Sequence, residues 1–313
     1  MSVLHAYFLV GPTAVGKSAV SQFIAERHGY DILAADSMQI YKGMDIGTAK
    51  PSADERSRIH HYGIDLAGPE ELFSVGLYRT HALSVLKINA SEERNTIVVG
   101  GTGLYIKSLI DGLDSATSID RSVKASWMSV YAEQGITALQ DALRIRNLTV
   151  YERIRDKQNA RRLIRALELI DSGVMLTEKK WARARAKKPI VCLMMAPEAL
   201  HERINLRVYE MYNNGLVDEV KSLLDRGVVM SETAKQAIGY AEVMDYLNGR
   251  CSREDAIART VVRTRQLAKR QRTWFRHQLN VELIQVAAVM EVEAIAHKVL
   301  EHWRKYGPTE IAE

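Results

Sequence analysis

The sequence predicts an α/β fold: a parallel sheet covered by helices on both faces, carrying an α-helical insertion. Three observations lead there. Over residues 1–110, short apolar runs alternate with helical patterns. A glycine loop, GPTAVGKS at residues 11–18, joins the first apolar run to the first helical pattern. From about residue 114 to 188 the chain then reads as helix after helix, with no proline between Pro69 and Pro189.

Taken in order, residues 7–10 form a buried strand, and residues 17–27 a helix with Val20, Phe23 and Ile24 on one side. A short strand at 31–34 leads to Asp36. The connection at 36–51 is long, carries two glycines and has little helical pattern, and long loops at a sheet edge tend to be functional. A helix is expected at 77–88, a buried strand at 96–99, and a helix from Thr102 to Ile110. After a polar link at 114–120 comes the insertion, residues 115–188. The core is then residues 1–114 with 189–313. It resumes with a returning strand at 189–195, followed by helices near 200–226, 233–248 and 253–279.

Composition narrows the class. Apolar residues make up 47% of the 313, enough for a sizeable core. No stretch approaches the ~20 apolar residues that cross a bilayer, and the first residues lack the basic region and cleavage site of a signal peptide. Two cysteines, Cys192 and Cys251, suggest neither a disulfide framework nor a metal cluster and fit a cytoplasmic protein. The net charge of +5 is mild, but its distribution is not. Residues 256–281 hold no Asp or Glu, yet carry Arg259, Arg263, Arg265, Lys269, Arg270, Arg272 and Arg276. Lys269, Arg272 and Arg276 recur on one helical face. Further basic clusters are Arg153, Arg155, Lys157, Arg161, Arg162 and Arg165, then Lys179, Lys180, Arg183, Arg185, Lys187 and Lys188.

The glycine loop matches G-x-x-x-x-G-K-[ST] in full and lies between a strand and a helix, which makes the core P-loop NTPase-like. Its backbone N–H groups face phosphate oxygens, Lys17 adds a point charge, and Ser18 can hold Mg²⁺. The loop sets a ligand class, not a reaction. An ATPase normally adds an acid at the end of a second strand. Here the strand IVV ends in Gly100, Gly101 and Thr102. A hydroxyl can donate to phosphate or ligate Mg²⁺ without supplying charge; a tight turn with Thr102 capping the next helix explains the same residues structurally. Asp36, just past a strand's carboxyl end, reads as a magnesium ligand, a general base, or a turn residue.

Seven segments together resemble the tRNA dimethylallyltransferase family: GPTAVGKS (11–18), DSMQIYKGMDIGTAKP (36–51), VVGGTGLYIKSL (98–109), NARRLIRALE (159–168), GLVDEV (215–220), IGYAE (238–242) and RQLAKRQRTWFR (265–276). They occur in the family's order, and the resemblance is to the bacterial type without a zinc-finger tail. It departs at Ala241, where a basic or polar residue is expected, at Lys124, where some relatives carry Arg, and around His60 and His61.

The resemblance implies transfer of a dimethylallyl group from dimethylallyl diphosphate to the exocyclic amine of the adenosine 3′ of the anticodon. Gly11, Thr13, Ala14, Val15, Gly16, Lys17 and Ser18 would hold the diphosphate, with Mg²⁺ near Ser18 and Thr102. Catalysis would fall to Asp36, Thr102, Lys17 and Arg207, with Arg203 the alternative arginine. The anticodon stem-loop would meet Asp36, Ser37, Met38, Gln39, Thr102, Lys124, Arg161, Arg162, Gly239, Tyr240, Lys269, Arg272 and Arg276. The protein would act as a monomer away from membranes. Rival readings are a P-loop kinase using ATP with Asp36 as base, an adenylate isopentenyltransferase acting on free nucleotides, and a non-catalytic RNA-binding protein. The kinase leaves the basic C-terminal helix and the Gly-Gly-Thr turn unexplained, the adenylate enzyme would need less basic surface than this chain carries, and Lys17, Ser18, Asp36 and Thr102 together argue against the third.

Overall fold

The computed structural model describes residues 3–113, 121–173 and 188–312. The chain divides into two compact units, Met1–Gly112 with Arg185–Glu313, and Leu113–Ala184. Of the basic cluster at 179–188, only Lys188 lies within the described residues.

In the first unit the chain runs β1 (His5–Val10), α1 (Lys17–His28), β2 (Asp31–Ala34), α2 (Ala53–Arg58), β3 (His61–Tyr62), α3 (Val75–Ser91), β4 (Thr96–Gly100) and α4 (Gly103–Ile110). The second unit supplies α5 (Arg121–Arg146), α6 (Leu148–Arg153) and α7 (Ala160–Asp171). The first unit resumes with β5 (Ile190–Met194), α8 (Pro197–Asn213), α9 (Leu216–Asp225), a 3-10 turn (Ala234–Gln236), α10 (Tyr240–Leu247), α11 (Arg253–Gln278), β6 (Val281–Gln285), α12 (Val292–Tyr306) and β7 (Thr309–Glu310).

The sheet order is β3-β2-β4-β1-β5-β6, all parallel, with β7 antiparallel on the start of β1. Residues of β2, β4 and β5 are buried throughout, as strands with helices on both faces must be. Because β4 inserts between β1 and β2, the carboxyl ends of all three lie side by side. Val10 pairs with Gly100, and Ala34 with Val99. This brings the glycine loop, Asp36 and the Gly-Gly-Thr turn onto one edge.

Several elements differ from the sequence expectation. The helix expected at 200–226 is two, because Gly215 adopts φ 98° between α8 and α9. The one expected at 233–248 is a 3-10 turn followed by α10. Neither α2–β3 nor the closing β6–α12–β7 is anticipated. In α2, Ser52 and Glu55 form a reciprocal capping box, but no residue of the helix is buried. Its stability is local, and no apolar periodicity marks it.

The second unit has its own core, including Trp127, Leu139, Leu143, Tyr151, Leu163 and Leu167. Gly135 (φ 76°) bends α5. Asn147 and Asn159 cap α6 and α7 through Val150 N–H and Arg162 N–H. In NARRLIRALE the asparagine therefore starts a helix, Leu163, Ile164, Ala166 and Leu167 fill the core, and Arg161, Arg162 and Arg165 are exposed.

Candidate active site

The site grows from the three adjoining strand ends. The chain leaves β1 through the glycine loop, in which Ala14 (φ 63°) and Gly16 (φ 105°) both take the left-handed conformation. Alternation of this kind turns successive N–H groups toward one concavity, a nest for an anion. At the end of β4, Gly100 passes so close to Ala35 that a Cβ would overlap the Ala35 carbonyl. That approach needs glycine, and it lets Thr102 N–H donate to Ala35 O at 3.0 Å. Thr102 does stand at the N-cap of α4, but its hydroxyl makes no capping bond. Instead Oγ1 accepts the Ser37 N–H at 2.9 Å and donates to Ser37 Oγ at 3.3 Å. Thr102 thereby fixes the chain immediately after Asp36. The carboxylate itself turns back, Oδ1 accepting the Met38 N–H at 2.9 Å.

Two helices complete the site. From α8, Arg207 donates to Thr13 Oγ1 at 3.2 Å, and Arg203 lines the same cavity beside the loop. From α11, Gln271 accepts the Thr13 N–H at 2.8 Å and donates to Gly101 O at 3.0 Å. Gln271 thus ties the glycine loop to the Gly-Gly-Thr turn. Sequence reasoning missed it, because charge drew attention to its neighbours. A neutral amide set among arginines, in a helix otherwise read for its basic face, was the available signal.

These groups bound two cavities of about 470 and 600 Å³. Both are lined by Thr13, Asp36, Thr48, Gly101, Arg207 and Gln271, which form the throat between them. Beyond the throat the first holds Lys17 and Ser18 together with apolar Ile32, Ala34, Ile64 and Val99. The second is walled by Ser37, Met38, Ala237, Ile238, Arg263 and Arg270. One compartment therefore suits a phosphate with a small apolar tail, the other a polar or anionic partner approaching along α11.

Electrostatics favour an anion in the first compartment. Burial pushes the Lys17 ammonium down to about 8; the Asp36 carboxylate counters this, and the Arg207 charge adds to it. Lys17 Nζ donates to Pro12 O at 2.8 Å. Burial also lowers the pKa of Arg207. Two desolvated cations gain a counter-charge when a diphosphate enters.

The basic helix divides its residues. Arg263 pairs with the buried Glu242, Arg259 lies 3.6 Å from Asp245, and Arg265 donates to Asn205. Lys269, Arg270 and Arg276 are exposed and Arg272 is half-buried. Phe275 is fully buried, and Trp274 packs on Gly103. Two expected tRNA contacts are corrected: Gly239 and Tyr240 are buried, and the Tyr240 hydroxyl donates to Glu219. Beside them the half-buried Ile238 and the buried Ala237 contribute to the wall of the second cavity. Gln39 lines the first cavity, and its side chain donates to Thr48 O and Ala49 O. Lys124, Arg161 and Arg162 are exposed residues of the second unit.

The family model for IPP transferases matches residues 39–278. A tRNA dimethylallyltransferase of Geobacillus thermodenitrificans is 40% identical over 95% of this chain and 94% of its own, and one of Geobacillus kaustophilus 41% identical over 88% of each. The crystal structure of a tRNA isopentenylpyrophosphate transferase from Bacillus halodurans superposes with a TM-score of 0.70 at 34% identity, covering 96% of this chain and 97% of that one. The matched span runs from the Asp36 loop to the end of the basic helix, and on that ground the chain belongs to the IPP transferase family.

Proposed function

We infer that this protein transfers a dimethylallyl group from dimethylallyl diphosphate to tRNA, at the exocyclic amine of the adenosine 3′ of the anticodon, releasing diphosphate. One observation carries the reading. Asp36 stands in a throat between a compartment with a phosphate loop and apolar walls and a compartment walled by a basic helix, and the strand beside it ends in a hydroxyl rather than an acid.

The chemistry follows from that arrangement. Carbon is the electrophile. The C1–O bond of the donor breaks, its electron pair leaves with the diphosphate, and the amine nitrogen forms the new C–N bond. Negative charge grows on the departing oxygens, where the loop N–H groups, Lys17 and Arg207 stabilise it. The adenine amine is a poor nucleophile, because its lone pair is delocalised into the ring. Asp36 accepts its proton as the bond forms; Oδ1 is engaged by Met38 N–H, which leaves Oδ2 for this role. Thr102 holds that carboxylate in place through Ser37. Ile32, Ala34, Ile64 and Val99 keep water from the developing allylic cation.

The donor set fits Mg²⁺. Ser18 Oγ in the first compartment is a hard oxygen ligand, Thr102 Oγ1, bonded to Ser37 at the second, would be another, and such an ion is held by a few protein oxygens with substrate phosphates and waters. Among the described residues no group of three or more His, Cys, Asp or Glu gathers into a protein-only cage. When bound, the ion offsets the charge of the leaving diphosphate.

For the base to reach Asp36 it must leave its stack, which costs a few kcal/mol and less in a loop than in a duplex. Lys269, Arg272 and Arg276 on α11 would hold the phosphates of the anticodon arm, and Ser37 and Met38, which line the second compartment, would read the polar edge of the base; Gln39, expected beside them, lines the first compartment and braces the loop through Thr48 O and Ala49 O. Lys124, Arg161 and Arg162 of the helical unit would add RNA contacts.

The test is incubation of the purified protein with unmodified tRNA, dimethylallyl diphosphate and Mg²⁺, followed by mass spectrometry of the nucleosides, with γ-labelled ATP in a parallel reaction. Prenylated adenosine in the first and no label transfer in the second is the expected result. Label transfer from ATP without prenylation would overturn it.

A further inference from the structure

Two strings of the sequence, GLVDEV and IGYAE, have no part in the chemistry above, yet a single carboxylate links them. Glu219, in the first turn of α9, receives four donors. Its Oε2 accepts Asp45 N–H at 2.9 Å and Ile46 N–H at 2.8 Å, and its Oε1 accepts Gly47 N–H at 3.3 Å and the Tyr240 hydroxyl at 2.5 Å. Three consecutive backbone N–H groups closing on one anion make a nest, here filled by a side chain of the same protein. Tyr240 is fully buried, and Gly47 lies so tightly on its ring that a Cβ would overlap it. Burial raises the Tyr240 pKa, so the phenol stays protonated and remains a donor.

Glu219 lines neither main cavity, but the loop it grips lines both. Gly47 and Thr48 face the second compartment, and Thr48, Ala49 and Lys50 the first. Bonds within the loop stiffen it further. Gln39 Nε2 donates to Thr48 O at 3.2 Å and Ala49 O at 3.1 Å, and Thr48 Oγ1 is tied to Met44 O at 2.6 Å. The Lys50 side chain, 1% exposed, pairs with Asp45 and Asp65, each at 2.6 Å, anchoring the far end of the same loop.

We propose that Glu219, with Tyr240 as its partner, is a positioning residue for the acceptor base: it clamps residues 45–47 from outside the site and so sets the wall that Gly47 and Thr48 present to the second compartment. This rests on the function proposed above. A glutamine at 219 would put an NH₂ where one carboxylate oxygen accepts two of the four donors, and leave both without that acceptor. The phosphate loop makes no bond to Glu219, and of the clamped residues 45–47 none lines the first compartment while Gly47 lines the second, so the clamp bears on the acceptor rather than the donor.

The experiment uses full-length wild type, Glu219→Gln and Tyr240→Phe. Calorimetry with dimethylallyl diphosphate and Mg²⁺ gives the donor Kd and the fraction of competent sites; turnover of unmodified tRNA is then expressed per competent site. For Glu219→Gln the expected result is a donor Kd within about threefold of wild type, near-full stoichiometry, and kcat/KM for tRNA per site reduced by roughly tenfold to a hundredfold. Tyr240→Phe removes one donor and is expected to lose about threefold per site. A merely structural role moves the stoichiometry and leaves each surviving site at the wild-type rate. That result, or per-site turnover within about twofold of wild type in Glu219→Gln, overturns the proposal. If Glu219→Gln does not fold, Tyr240→Phe decides: unchanged per-site turnover overturns, and a loss at constant stoichiometry supports. Failure of wild type itself to prenylate tRNA would break the functional reading instead.

Discussion

Two loops leave the same sheet edge and are built in opposite ways. The phosphate loop is short, strung between β1 and α1, and its concavity comes from its own backbone, through the left-handed Ala14 and Gly16. The substrate loop at 36–51 has no repeating backbone pattern of its own. Beyond bonds within the loop, such as Gln39 on Thr48 and Ala49, it is held by side chains from elsewhere: Thr102 on Ser37, Glu219 on residues 45–47, and Asp65 on Lys50. A site for diphosphate, the same group at every turnover, can be made of local backbone. A site that must admit and orient a base brought by a macromolecule is set by distant contacts, and it fails when they are cut.

That contrast is broken most severely at its centre. Asp36→Asn keeps size and turn geometry but cannot take a proton, so kcat should fall by roughly 10²–10⁴ while tRNA affinity holds. Single-turnover kinetics and a tRNA binding isotherm measure the two; near-normal turnover removes Asp36 from the role of base.

Gln271 sharpens the comparison, because here the phosphate loop too borrows an outside contact. Gln271→Ala frees Thr13 N–H and Gly101 O, and about a tenfold loss in kcat/KM for dimethylallyl diphosphate is expected. The tRNA KM should stay near wild type. A loss confined to tRNA would instead place Gln271 with the RNA surface.

The Lys17 shift gives a pH signature. Burial holds this ammonium near 8, below the ordinary value of 10.5. Below pH 8 it is already charged when the donor arrives. Above pH 8 binding must draw in a proton, so affinity for dimethylallyl diphosphate should fall as pH rises through 8. Folding stability of the free protein runs the other way. The charged form is disfavoured in the folded state, so the penalty is full below pH 8 and is relieved between pH 8 and 10.5. Calorimetry at pH 8 in buffers of different ionisation enthalpy should show net proton uptake, and at pH 6.5 almost none.

The smallest effect belongs to the exposed face of α11. Lys269→Ala should weaken tRNA binding modestly and reduce the salt slope of log Kd by about one. An unchanged slope would mean that RNA phosphates do not meet this residue.

The same contrast explains what could be read from the sequence. The phosphate loop, the buried strands at 96–100 and 190–194, and the acid-free stretch of α11 after Asp255 are local patterns, legible in short windows of sequence. Asp36 is legible because it follows a strand. Gln271 and Glu219 are not, since they act on Thr13 and on residues 45–47 across 258 and more than 170 positions of chain. Tyr240 shows the reverse error: its string is easily spotted, but its side chain faces inward to a carboxylate rather than outward to RNA. The closing helix was missed although Ile295, Ala296, Val299 and Trp303 recur at helical spacing, with the signal interrupted by charges such as Lys298 and Glu301.

The most direct measurement of the chemistry follows the bridging oxygen. Dimethylallyl diphosphate labelled with ¹⁸O between C1 and phosphorus is turned over with tRNA, and the products are weighed. If carbon is attacked and the loop retains the leaving group, all of the label leaves in diphosphate and none stays with the prenyl group. Label retained on carbon, or phosphoryl groups transferred to the RNA, would contradict it.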